Sequence, residues 1–189
     1  MRIDLDHEFQ ILSDNFIQLK KQIPVIEEII NQCVSALRDG HKIMFCGNGG
    51  SASQCQHLAA ELVGRYKLER PAMNALSLTT DTSNLTAIGN DYGYDTVFSR
   101  QVEGVGQVGD ILFGLSTSGN SQNVIQAFLK AKEKNIITIA LTGAKDNRMK
   151  ELADITLTVP ATASNNIQEM HIAVGHLLCG VIEKAINGD

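Results

Sequence analysis

The chain has 189 residues, 43% of them hydrophobic, with 16 basic against 21 acidic side chains for a net charge of −5. That length and apolar content suit one domain with a full core, while scattered basic residues under a negative net charge argue against nucleic acid as the main ligand. No apolar run reaches the roughly 18 residues of a membrane span, and the start MRIDLDHEFQ has no signal-peptide core, so a cytoplasmic protein without membrane association is expected.

Phe9, Ile11, Leu12, Phe16 and Leu19 recur at helical intervals, and Pro24 opens a second helical run from Val25 to Leu37 that Gly40 stops. The pattern then alternates. β-like apolar runs stand at Lys42–Cys46, Ala75–Leu78, Ile111–Leu115, Ile136–Leu141 and Ile155–Val159, with helical segments between them and a last helix from about Ile167 to Ile186. Strand–helix alternation with short links predicts an α/β domain, a five-stranded parallel sheet flanked by helices in the doubly wound manner. Residues 1–40 form an N-terminal helical extension for packing or oligomerisation and residues 41–189 the ligand-binding domain, in one structural unit. The four cysteines, Cys33, Cys46, Cys55 and Cys179, include no C-x-x-C pair and read as reduced, mostly buried thiols.

Ligands of open parallel sheets sit beyond the carboxyl ends of the strands, and two such ends are conspicuous. One runs into Gly47-Asn48-Gly49-Gly50-Ser51; the other runs into Ser116-Thr117-Ser118-Gly119-Asn120-Ser121. A helix N-terminus presents unpaired backbone N–H groups and about half a positive charge. Hydroxyls of Ser116, Thr117, Ser118 and Ser121 would surround the same point, and Gly119 lets the backbone approach closely, which makes a neutral cradle for a phosphate. The competing reading is that Ser118 or Asn120 caps the helix and the rest is turn chemistry. Neither glycine stretch matches G-x-x-x-x-G-K-[ST] or G-x-G-x-x-G.

His57 and Glu61 stand four apart on one helical face, and the last helix carries Gln168, Glu169, His171 and His176. Imidazole with carboxylate suits zinc; a surface His–Glu pair and a packed core histidine are the alternatives. His176 interrupts an apolar face of Ile172, Leu177, Leu178 and Val181, where a histidine needs a partner. Gln168 and His176 lie about 12 Å apart along an ideal helix, so both reach one metal only if it sits between them or a neighbouring chain contributes.

Together, "CGNGGSASQCQHLAAEL", "TTDTSNLTAIGNDYGYDTVFSRQVE", "GLSTSGNSQNV" and "IQEMHIAVGH" resemble the phosphoheptose isomerases of the SIS sugar-phosphate isomerase fold, in the same order and from about residue 24 onward. The resemblance implies conversion of sedoheptulose 7-phosphate to D-glycero-D-manno-heptose 7-phosphate, the first step towards nucleotide-activated heptose for bacterial surface polysaccharide. It implies a homotetramer with active sites between subunits and one zinc ion per subunit. It also implies the residue roles: Ser116, Thr117, Ser118 and Ser121 as the phosphate loop, and Asn48, Gly49, Gly50, Asn90, Asp91, Glu61 and Gln168 as substrate contacts. His57, Glu61, Gln168 and His176 become metal ligands, with Glu61 and His176 as the acid–base pair. Two departures stand out: relatives often carry an acid where this chain has Gln54, and a basic residue where it has Asn166.

Ketose–aldose isomerisation moves a proton between C1 and C2 through an enediol, which requires a base at carbon and an acid at oxygen. Glu61 is expected as the first and His176 as the second, with a divalent metal polarising the carbonyl. Two other readings remain. A non-catalytic SIS adaptor that binds the bacterial replication initiator would lack the glutamate and the second histidine, both of which are present here. An isomerase of another sugar phosphate would share the motifs, since the sugar's chain length is not written in them.

Overall fold

The computed structural model describes residues 4–188. In chain order the elements are α1 (Leu5–Leu19), α2 (Ile23–Arg38), β1 (Ile43–Gly47), α3 (Gly50–Val63), β2 (Ala75–Ser77), α4 (Thr82–Tyr92), α5 (Ser99–Val105), β3 (Ile111–Ser116), α6 (Gln122–Glu133), β4 (Ile137–Thr142), α7 (Arg148–Leu152), β5 (Ile155–Thr158) and α8 (Ser164–Asn187). A single 3₁₀ turn, Lys20–Gln22, separates α1 from α2, and Pro24 falls in the first turn of α2, where its missing N–H costs nothing.

The sheet has the order β2-β1-β3-β4-β5 and every pairing is parallel. The expected five-stranded, doubly wound architecture is therefore present. Successive strand residues point to opposite faces, so Ile43, Phe45, Phe113 and Leu141 enter a core under α2, α3 and α8. Met44, Cys46, Leu112 and Ala140 enter a second core with residues of α5, α6 and α7. All four cysteines are free and buried, and burial pushes the Cys179 thiol up to about 12 and Cys33 and Cys46 higher still. Among the described residues no helix is long and apolar enough to cross a membrane.

The N-terminal helices part company. Within the helical extension, α2 buries Ile29, Cys33, Val34 and Ala36 in the core shared with α8. Helix α1 buries only Leu19, and Phe9 (69% exposed) and Ile17 (59%) face outward.

The strand order positions the ligand crevice. From β1 the chain moves outward to β2 and then returns to β3 on the opposite side, so the loops leaving β1 and β3 diverge at a switch point and leave a cleft between them. Those are the two loops singled out in the sequence.

Candidate active site

The hydroxyl loop closes around Ser116, which ends β3 in register with Thr142 of β4. Its Oγ accepts the Gly119 N–H at 3.1 Å and lies 3.0 Å from Ser121 Oγ and 3.4 Å from Ser118 Oγ. Gly119 makes the turn at φ +65°, a conformation that side chains disfavour. Thr117 Oγ1 accepts from the Ser164 hydroxyl at 3.5 Å, which brings in the start of α8.

The capping alternative does not hold for α6. Its N-cap is Ser121, and no side chain accepts from its first amides. The Ser118 Oγ accepts the Asn120 N–H at 3.2 Å, and the Asn120 Oδ1 accepts the Arg148 N–H at 3.0 Å, serving α7 instead. Helices α3 and α8 also begin without a side-chain cap, whereas Asp81 caps α4 and Asn147 caps α7. The uncapped α6 terminus keeps the donors and partial charge that suit a phosphate. Beside it lies a pocket of about 220 Å³ whose lining includes Thr117, Ser118, Lys145 and Ser164.

Across the crevice, Asn48 is half-buried and its amide is engaged. It donates to Asn123 Oδ1 at 2.8 Å, accepts from Asn123 Nδ2 at 2.9 Å, and accepts from the Tyr94 hydroxyl at 3.1 Å. This reciprocal pair ties the β1 loop to the start of α6; neither Asn123 nor Tyr94 carries a local pattern that singles it out. Gly49 (φ +55°) precedes α3, and a Cβ on Gly50 would stand 2.7 Å from the Gln168 amide, so that amide packs directly on the turn. Asn90 and Asp91 come from the last turn of α4. They are exposed at the end of α4, where Asn90 donates to Asp91 at 2.8 Å, and Asp91 opens onto a separate groove of about 420 Å³ between α4 and α5.

Helices α3 and α8 run side by side in the same direction, with Gly50 against Gln168 and Leu58 against Gly175. A Cβ on Gly175 would lie 2.5 Å from Leu58, so the bare glycine sets how closely the helices approach beside His176. The result is a cluster: His57 Nε2 lies 2.8 Å from His176 Nε2 and 3.4 Å from Glu61 Oε1. All three ligand atoms fall within 4.8 Å of one another. Zinc bonds of 2.0–2.1 Å in a tetrahedron separate adjacent ligand atoms by about 3.3 Å, close to the His57–Glu61 spacing. Two imidazoles and a carboxylate therefore fit a divalent cation both in chemistry and in reach.

The apolar face that His176 interrupts is only partly buried, and His57 supplies the partner the imidazole needs. Leu177 and Val181 are exposed (58% and 46%), so His176 borders an open apolar groove of about 400 Å³. The histidine within the core is His171, fully buried with no hydrogen bond of normal geometry to either ring nitrogen. The departures also find places. Gln54 Nε2 donates to the Gln168 carbonyl at 2.7 Å, a bond an ionised acid would not donate, and Asn166 is buried in the first turn of α8.

Known proteins share this fold. Residues 11–143 match the SIS domain family. The phosphoheptose isomerase of Akkermansia muciniphila is 60% identical over 177 residues, 94% of each chain. The structure superposes on phosphoheptose isomerases from Neisseria gonorrhoeae (TM-score 0.90, 40% identity, 95% of this chain and 97% of that one) and Francisella tularensis (TM-score 0.92, 34% identity, 95% and 96%). On this whole-chain likeness in sequence and fold, the chain belongs to the phosphoheptose isomerase family of SIS-domain proteins.

Proposed function

We propose that this chain is an aldose–ketose isomerase converting sedoheptulose 7-phosphate to D-glycero-D-manno-heptose 7-phosphate, the first step towards nucleotide-activated heptose for surface polysaccharide. The observation that carries the reading is the meeting of His57, Glu61 and His176 on two parallel helices, α3 and α8, that both begin at the ligand crevice.

The hydroxyls of Ser116, Thr117, Ser118 and Ser121, with the uncapped amides of α6, hold the phosphate and so orient C1 and C2 at the far end of the sugar. Gly49 and Gly50 let the substrate approach the backbone of the β1 loop, with the Gln168 amide beside it. The Glu61 carboxylate takes a proton from C1 of the ketose, exchanges it with solvent, and delivers a proton to C2. His176 supplies a proton to the C2 oxygen and removes one from the C1 oxygen, and Glu61 and His176 each act with the reacting atom free of any cation, so the enediol pathway is completed with no net change in either group. His57, Glu61 and His176 would hold a divalent cation, zinc by their donor chemistry, with Gln168 as a further ligand from a neighbouring chain, since within this chain its amide packs against Gly50. When bound, such a cation supplies Lewis-acid polarisation of the sugar carbonyl.

A homotetramer with sites shared between subunits is supported by the outward apolar residues of α1 and by the groove of Leu68, Leu177 and Val181 beside His176. A cytoplasmic location agrees with four free thiols. The reading is tested by incubating the protein with sedoheptulose 7-phosphate in D₂O and following the sugar by NMR. Appearance of the aldose with deuterium at C2 is expected; unchanged ketose carrying no deuterium would refute it.

A further inference from the structure

After α3 the chain crosses the C-terminal half of α8, and a buried ion pair governs the crossing. Glu183 (1% exposed) uses both carboxylate oxygens. It accepts the backbone N–H groups of Tyr66 at 2.9 Å, Lys67 at 2.8 Å and Leu68 at 3.0 Å, and Arg70 Nε at 3.1 Å. Arg70 in turn donates to the carbonyls of Glu61 at 2.9 Å and Leu62 at 2.8 Å, groups that a helix end leaves without partners. One buried pair thus fixes both the backbone of the candidate base and the loop that follows it.

What that loop presents is Tyr66. Its ring stacks on the His176 imidazole with centroids 5.8 Å apart and planes 26° from parallel. The ring also rests against the bare Gly180, where a Cβ would come within 2.9 Å of it, and Lys67 Nζ stands 5.0 Å from its centroid. The imidazole needs such a support. A ligating histidine is usually oriented by a hydrogen bond to its second nitrogen, whereas His176 bonds only through Nε2 to His57, and no partner holds Nδ1 among the described residues.

We propose that Tyr66, held by the Arg70–Glu183 pair, is a positioning residue that fixes the His176 imidazole towards His57 and Glu61. Only its consequence for turnover rests on the isomerase reading. Aromatic area alone is required, since the Tyr66 hydroxyl forms no hydrogen bond among the described residues.

The test compares Tyr66→Leu and Tyr66→Phe with the unmodified chain in three measurements: zinc affinity by competition with a chromophoric chelator, the nuclear Overhauser contact between the His57 and His176 rings in the metal-free protein, and steady-state kinetics. Tyr66→Leu is expected to weaken zinc binding and lower kcat by about tenfold each, with KM within about twofold, and to lose the ring–ring contact. Tyr66→Phe should match the original chain in all three. Glu183→Gln should reproduce the Tyr66→Leu pattern; if it does not fold, Tyr66→Leu decides alone, because it removes no buried charge. A folded Tyr66→Leu variant with unchanged zinc affinity and an intact ring–ring contact would overturn the proposal. If the isomerase reading fails, the original chain is silent towards the sugar phosphate while the zinc and ring–ring measurements still decide.

Discussion

Lowering the pH should destabilise this protein through one residue, His171. Its ring is fully buried on α8 with no hydrogen bond of normal geometry to either nitrogen, the Thr142 backbone engaging it only weakly, and the Thr142 hydroxyl lacks a partner. Burial pulls its pKa from 6.5 down to about 4, opposed only in part by the backbone of Thr142. As the pH falls through 6.5 the unfolded chain takes up a proton that the folded chain refuses until about 4, so stability is present above that window and drains away within it. At 1.36 kcal/mol per pKa unit the whole difference is about 3 kcal/mol, and about 2 kcal/mol of it is gone by about pH 5. His171→Leu removes the titration and the unpaired nitrogens while keeping an apolar core. Urea unfolding of metal-free protein, followed by circular dichroism at fixed protein concentration near pH 7.5 and pH 5, gives the double difference directly. Every other titrating group is common to both proteins and cancels. The variant should lose about 2 kcal/mol less than the original chain between the two pH values. Equal losses, within about 0.5 kcal/mol, would show that the folded protein protonates His171 freely and that the burial argument is wrong.

Glu61→Gln and His176→Gln should each keep the fold and lower kcat by roughly 10² to 10⁴, the usual worth of an acid–base group; turnover like the original in either would remove that residue from the mechanism. Chelation should abolish activity and zinc should restore it, with full activity in protein shown metal-free by elemental analysis counting against a metal role. Ser118→Ala and Ser121→Ala should raise KM and also lower kcat, because phosphate binding orients the sugar; equal kcat/KM for phosphorylated and unphosphorylated heptulose would reduce the loop to a turn. Deleting residues 1–23 should leave the α2 core intact and yield smaller or aggregated species with little activity, whereas a fully active monomer by light scattering would overturn the shared site.

Much of this protein is written locally. Runs such as Ile111–Leu115 and Ile136–Leu141 announce buried parallel strands because both sheet faces are covered, and the alternation with helical segments leaves few other architectures. The hydroxyl-rich end of β3 and the four-residue spacing of His57 and Glu61 are legible for the same reason: each is set within one turn of chain. The face of α8 is not. Both sides of that helix carry apolar residues, so periodicity could not say that His171 enters the core while His176 borders an open groove beside exposed Leu177. Nor could it show that α2 packs on its own sheet while α1 turns its phenylalanines outward. The Asn48–Asn123 amide pair exists because β1 and β3 are neighbours in the sheet, and the Arg70–Glu183 pair joins residues 113 apart in the chain. Local pattern fixes which face of an element is apolar; which elements meet, and therefore which polar side chains find partners, is decided only when strand order and the close α3–α8 contact at Gly175 bring them together.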